Sequence, residues 1–200
     1  MKLDIVQVGD PVLRWRARPL TREEIGSAAI AELIESMKET MRAAPGVGLA
    51  APQIGVPLQI TVIEDPAEFI EKLPREQAEE RERRPVPFHV VINPRLTVVD
   101  AGPEEFFEGC LSLAGFTAIV PRAKRVRVEC LNERGEAADI DASGWYARIL
   151  QHEIDHLNGI VYIDRMRSRS FCGMANFEKF WKDRPIADFW NRVPREPGQE

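Results

Sequence analysis

The chain has 200 residues, 44% of them hydrophobic and 30% charged, with a formal net charge of -5. That length suits one domain with its own core, and the acidic balance gives no reason to expect nucleic acid as a bulk partner. No stretch is long and apolar enough for a membrane span, Met1-Lys2-Leu3-Asp4-Ile5-Val6 lacks the apolar run of a signal peptide, and the three cysteines, with no C-x-x-C, argue against a disulfide framework.

Val8 to Arg14 reads as a turn with a short extended piece. Thr21 to Ala44 is predicted as one helix. Thr21 and Glu24 make a capping box, Ile30, Leu33, Ile34, Met37 and Met41 recur at helical spacing, and Pro45-Gly46 ends it. The stretch Gly46-Val47-Gly48-Leu49-Ala50-Ala51-Pro52-Gln53-Ile54-Gly55 is small, apolar and glycine-rich, with a single amide side chain. No Lys-Ser/Thr follows, so it is not a phosphate loop. Its glycines allow either a close backbone approach to a ligand or strand, or simply a tight turn. Leu58 to Ile63 is a predicted strand. Glu, Arg and Pro dominate residues 66–87, where Glu79–Arg83 and Glu80–Arg84 pairs could support a short exposed helix. A mobile, solvated insertion is expected there.

From His89 onward the pattern is strand-rich. Val90–Asn93 and Leu96–Val99 flank a predicted turn, and Phe106–Leu113 reads as extended. Ala118–Pro121, Arg125–Leu131 and Ala137–Ile140 follow, with a hairpin turn at Asn132-Glu133-Arg134-Gly135. Next comes a helix over 144–157, with Asp141 and Ser143 as N-cap candidates and Asn158-Gly159 as its stop. Trp145, Ile149, His152 and His156 share one face of it. Ala147, Leu150, Ile154 and Leu157 cover much of the rest, which marks a buried helix. Ile160–Ile163 is predicted as a short strand. The aromatic tail through Phe177, Phe180, Trp181, Phe189 and Trp190 is predicted as one packed helix, with 194–200 frayed. These elements predict an α+β fold in which small mixed, mostly antiparallel sheets surround the buried 144–157 helix.

That helix carries His152-Glu153-Ile154-Asp155-His156, the H-E-x-x-H pattern. Positions i and i+4 lie about 40° apart around a helix and about 6 Å along it, so both imidazoles can reach one metal ion. Glu153 is turned about 100° away, beside the metal, where a carboxylate can handle protons. Two of the chain's three histidines are here. A catalytic site usually takes three protein ligands. The histidine of the extended zincin pattern is absent, since that position is Tyr162. Cys110, Glu178 and His89 remain as candidates for the third ligand.

Three ordered motifs resemble those of the peptide deformylases: Gly46-Val47-Gly48-Leu49-Ala50-Ala51-Pro52-Gln53, Glu108-Gly109-Cys110-Leu111-Ser112 and Gln151-His152-Glu153-Ile154-Asp155-His156-Leu157. The Asp10-Pro11-Val12-Leu13-Arg14 opening is similar too, so the resemblance spans most of residues 5–170. It implies that Cys110, His152 and His156 hold one divalent metal ion per chain, natively ferrous iron, with nickel, cobalt or zinc tolerated. The implied substrate is the N-formylmethionine end of a nascent polypeptide, and the products are formate and a free amine. Glu153 would carry the proton, while Gln53 and the Leu111 backbone N–H would receive the charge on the formyl oxygen. Val47, Gly48 and Gly109 would hold the substrate backbone, and Phe106, Trp145 and Ile149 would line the methionine pocket. Contact with the ribosome near the exit of the nascent chain is also implied.

Some features depart from the bacterial pattern. Arg148 stands near the pocket where many bacterial members are apolar, and Ala142-Ser143-Gly144-Trp145-Tyr146-Ala147-Arg148-Ile149 resembles the organellar branch. The reducing character of the cysteines and the start of the sequence nevertheless predict a cytoplasmic protein. Two other readings compete. A metallopeptidase would leave Gln53 and Cys110 unexplained, and a protein stapled by a structural metal would leave Glu153 without a role.

Overall fold

The computed structural model describes residues 2–194. The frayed end expected over 194–200 therefore lies, from 195 on, outside the described residues. The helix predicted over 21–44 is two helices, α1 (Arg22–Ile25) and α2 (Ala28–Ala43). The capping box forms as expected: Thr21 Oγ1 accepts from Glu24 N at 3.2 Å, and Glu24 Oε2 accepts from Thr21 N at 2.8 Å. It starts only one turn, because Gly26 is a poor helix residue and Ser27 prefers to cap, here accepting from Ile30 N at 3.3 Å. Along α2, Ile30, Ile34, Met37 and Met41 turn inward onto one apolar core.

The strands are β1 (Gly48–Ala50), β2 (Ile60–Asp65), β3 (Val86–Gly109), β4 (Phe116–Leu131), β5 (Ala137–Ser143) and β6 (Cys172–Gly173). The first five pair antiparallel in chain order, and β6 pairs with β4. The separate strands expected after His89 are segments of two long ones. The register of β3 on β4 shifts between Ile92 and Arg95, between Val98 and Asp100, and between Asp100 and Pro103. Such bulges let one strand bend instead of reversing. The expected turn after Asn93 is one of these bulges. Asn93 takes φ 51°, and its amide is held by Leu20 N at 2.9 Å and Leu20 O at 2.8 Å.

β3 stops at Gly109. Cys110 to Leu113 is a turn rather than strand, with Leu113 N donating to Cys110 O at 3.0 Å. The strand expected at 160–163 is instead a short 3-10 turn over Tyr162–Asp164, because the Asp164 carboxylate accepts from Val161 N at 2.9 Å and folds the chain back. The tail forms two helices, α6 (Met174–Phe180) and α7 (Ile186–Arg192), which bring Phe177 and Phe189 against Phe107.

Residues 66–87 carry two short helices, α3 (Ala67–Glu71) and α4 (Arg75–Glu80), neither with a buried residue. The segment is solvated there, but it then returns to the body. Arg83 makes a two-pronged ion pair with Asp65, both contacts at 2.8 Å, and Asp65 is 1% exposed at its side chain. The helix α5 (Gly144–Leu157) begins against this segment. Ser143 caps nothing with its side chain, and Asp141 is occupied by Arg127. The N–H of Trp145, the second residue of the helix, goes to Arg81 O at 2.8 Å. Gly144 has φ +57°, and a Cβ there would lie 2.5 Å from Glu82 Cβ, so only glycine fits this junction. At the other end Gly159 takes φ +73° and Asn158 Nδ2 donates to Ile154 O at 2.8 Å, the stop that was expected. Between its ends α5 buries Ala147, Ile149, Leu150 and Ile154 against Val126, Val128 and Ile63 of the sheet. No helix among the described residues is long and apolar enough to cross a membrane.

Candidate metal centre and substrate cavity

The turn after β3 and the inner face of α5 place three ligand atoms together. One donor atom each from Cys110, His152 and His156 lies within 4.8 Å of the others. Cys110 Sγ is 3.3 Å from His156 Nε2, and the two imidazoles cross at 74° with centroids 5.0 Å apart. His152 Nδ1 sits 3.0 Å from Glu108 Oε2. A carboxylate there fixes the Nδ1–H tautomer and leaves Nε2 as the free donor. One thiolate and two imidazole nitrogens, with a cavity on the open side, is a donor set that fits a divalent transition metal at a catalytic site. The other two candidates are elsewhere: His89 is engaged by Tyr146 Oη and Pro87 O, both at 2.9 Å, and Glu178 is exposed on α6.

Glu108 had no role in the sequence reading, yet it organises the site. Its carboxylate receives Arg122 through two contacts of 3.0 Å and Arg148 Nη1 at 2.6 Å. Burial works against the Glu108 charge, but Arg122, His152 and Arg148 outweigh it and hold the carboxyl well below its ordinary range. Arg122 also reaches Asp155, which Arg165 grips from the solvent side. The signal for Glu108 was its place two residues before Cys110, on the same side of an extended run.

Arg148 is not a free cation at the pocket. It is 4% exposed, paired with Glu108, and donates to Val120 O at 2.8 Å and to Glu104 O. Its guanidinium lies over the Phe106 and Trp145 rings, at 5.2 and 5.9 Å from their centroids.

Glu153 is 4% exposed, and its Oε2 has no hydrogen-bond partner among the described residues. Burial pushes its carboxyl up to about 7, against the pull of the His152 charge. It presses on Gly48: a Cβ at that position would be 2.3 Å from Glu153 Oε1. Gln53, 1% exposed, is oriented by Ala50 N, which donates to its Oε1 at 2.8 Å. Its Nε2 is thereby turned to Ser112 Oγ at 3.3 Å and Cys110 Sγ at 3.5 Å. Leu111 is half-buried at the same place, its carbonyl held by Gln7 Nε2 at 3.0 Å.

These groups open on a cavity of about 530 Å³. Val47, Gly48, Gln53, Gly109, Cys110, Leu111, Trp145, Ile149, His152 and Glu153 all line it. His156 lies behind the opening at 1% exposure. Phe106 is the exception among the expected lining residues. Its ring packs edge-on against Trp145 at 6.3 Å and beneath the Arg148 guanidinium, and those two side chains line the cavity. Phe69 and Arg83, from the 66–87 segment, line the cavity and were not foreseen.

The polypeptide deformylase family model matches residues 2–171. The chain belongs to the peptide deformylase family. It is 50% identical over 175 residues to the chloroplastic peptide deformylase 1A of Solanum lycopersicum, covering 88% of this chain and 63% of that one. To peptide deformylase 3 of Streptomyces avermitilis it is 50% identical over 179 residues, 90% of this chain and 78% of the other. A class I type b peptide deformylase from Acinetobacter baumannii, solved with Met-Ala-Ser bound, superposes with a TM-score of 0.74 at 30% identity, over 83% of this chain and 99% of that one. Membership carries the family's activity, metal-dependent hydrolysis of the N-formyl group from peptides that begin with N-formylmethionine. The α+β fold with its antiparallel sheet is the deformylase fold.

Proposed function

We propose that this chain is a single metallohydrolase domain that deformylates nascent polypeptides with Cys110, His152 and His156 as metal ligands and Glu153 as the proton carrier. The observation that carries this reading is the convergence of three donor atoms within 4.8 Å on a cavity that also holds a buried, unpartnered carboxylate oxygen. A divalent metal bound there would supply Lewis-acid polarisation and a water reactive near neutral pH. Glu153 accepts the proton of the attacking water and delivers it to the leaving nitrogen. A carboxyl raised to about 7 by burial is matched to both halves of that task. Gln53 Nε2, aimed by Ala50, and the Leu111 backbone N–H donate to the formyl oxygen as it gains charge. Val47, Gly48 and Gly109 pair with the substrate backbone as an added strand would. Trp145 and Ile149 receive the methionine side chain, with Phe106 supporting Trp145 from behind.

Ferrous iron is the proposed native metal, since a Cys/His/His set serves iron as well as zinc, nickel or cobalt. The three cysteines are free, which suits a reducing compartment, here assigned as a bacterial-type cytoplasm. The substrate is presented as it leaves the ribosome, so ribosome contact belongs to the reading and is measurable by co-sedimentation. The deciding experiment is anaerobic purification with metal analysis, followed by a formate-release assay on formyl-Met-Ala. Stoichiometric iron with rapid formate release is expected. Full metal occupancy in a Cys110→Ala protein would show that the ligand set is wrong.

A further inference from the structure

Glu108 is tied by more cations than its orientation needs. Arg122 alone grips both oxygens, Nε on Oε1 and Nη2 on Oε2, each at 3.0 Å. That already presents Oε2 to His152 Nδ1, also at 3.0 Å. Arg148 adds a further tie, from Nη1 to Oε1 at 2.6 Å, on the oxygen that His152 does not use. Taking a second guanidinium out of water is expensive, and the aim of Glu108 does not require it. Its charge therefore calls for a use of its own.

Within this network the buried charges balance. Glu108 and Asp155 are negative, Arg122 and Arg148 positive, and none of the four side chains is more than 10% exposed. Arg165, on the solvent side of Asp155, is 44% exposed, so water and salt screen its charge. Without Arg148 the buried set would carry one excess negative charge, in contact with a metal ligand. The Cys110 thiolate and the Glu153 carboxyl face the same centre, and both are there with or without Arg148. A nearby fixed negative charge favours a trivalent ion over a divalent one, and a positive charge opposes it.

The rest of the Arg148 environment keeps that charge in place. Val120 O and Glu104 O accept from its Nη1 and Nη2, and the Phe106 and Trp145 rings cover it. A guanidinium does not give up its proton in a protein, so the charge is constant over the working pH range. We propose that Arg148 is a positioning residue that acts through Glu108 and His152 to keep bound iron ferrous. The step it opposes is the loss of one electron from ferrous iron to dioxygen, which leaves ferric iron and superoxide and breaks no bond of the protein. This rests on the reading of Cys110, His152 and His156 as ligands of ferrous iron.

The test compares the parent protein with Arg148→Met, Arg148→Gln and Arg148→Lys, each loaded anaerobically with ferrous iron. The readouts are the midpoint potential, by redox titration of the ferric signal, and the rate at which that signal appears in air-saturated buffer. In the two neutral variants the ferrous–ferric equilibrium should move toward ferric by about tenfold, a fall of about 59 mV for one electron. The ferric signal should also appear faster. Arg148→Lys, which restores the charge without the fork, should return most of the parent potential. Metal analysis and a melting curve show whether each variant is folded and loaded. Gln keeps two N–H donors for the Val120 and Glu104 carbonyls, so it serves if the Met variant does not fold. A parent-like potential in a folded, iron-loaded neutral variant, or a Lys variant as low as the neutral ones, would overturn the proposal and leave the ligand set standing. A parent protein that retains no iron would instead overturn the reading of the metal, and this proposal with it.

Discussion

Gly48 and Glu153 compete for the same space, and that contact yields the most local prediction. A methyl group at Gly48 would stand 2.3 Å from Glu153 Oε1, so Gly48→Ala must displace the carboxylate. We expect kcat for formyl-Met-Ala to fall at least ~10-fold, since small misplacements of a reacting group cost rate steeply. Unaltered kcat in a folded Gly48→Ala protein would mean that the position of Glu153 is not critical. Removing the carboxylate goes further. Glu153→Ala should keep its metal and its fold and lose at least ~10²-fold, mostly in kcat, because the group acts on water and not on the bound peptide. His152→Ala should lose metal and rate together. Metal loss from Glu153→Ala would make Glu153 a ligand and end the proposed assignment. Much of this site could be read in advance, because a four-residue helical spacing fixes where His152, Glu153 and His156 point. The state of Arg148 could not. Its charge is absorbed by Glu108 and by the carbonyls of Val120 and Glu104, partners that only the β3–β4 register brings near.

At the scale of elements, α5 and α2 were legible because each has a continuous apolar pattern. The long strands were not, since Asn93 and the bulges beside it look like ordinary turn signals in a linear reading. The 66–87 segment was the least legible, because its surface charge hides one buried partner. Asp65 and Arg83 clamp its far end, Arg81 O receives the Trp145 N–H in the first turn of α5, and Phe69 reaches the cavity. Breaking a buried pair from one side costs about 3–5 kcal/mol, because the other charge is left without its partner. Asp65→Asn should therefore loosen residues 66–84 locally. Faster amide exchange across those residues is expected, together with a raised KM for formyl-Met-Ala, with little change in the core of α2. Exchange in 66–84 that matches the parent protein would show that the clamp does not hold the segment.

Across the whole molecule, α5 joins parts that otherwise pack separately. Its Ala147, Ile149, Leu150 and Ile154 belong to the sheet core, while Leu157 packs with Ala17 and Ala50. Cys110 packs instead against the cluster of Val12, Leu13, Val120 and Tyr162. A metal ion held by Cys110 and by the two α5 histidines would thus tie two cores together through bonds that exist only in the folded chain. Ligand that binds only the folded state stabilises it by mass action, about 2.7 kcal/mol when free metal is a hundred times its dissociation constant. For a chain of this size each kcal/mol moves the midpoint by roughly 2–4 °C, so chelation should lower Tm by roughly 5–10 °C. The shift should be reversible on returning ferrous or nickel ion under anaerobic conditions. In Cys110→Ala, whose site has lost its link to the second cluster, chelator should leave Tm almost unmoved. An equal chelator-induced drop in parent and Cys110→Ala proteins would place the stabilising metal somewhere other than this centre.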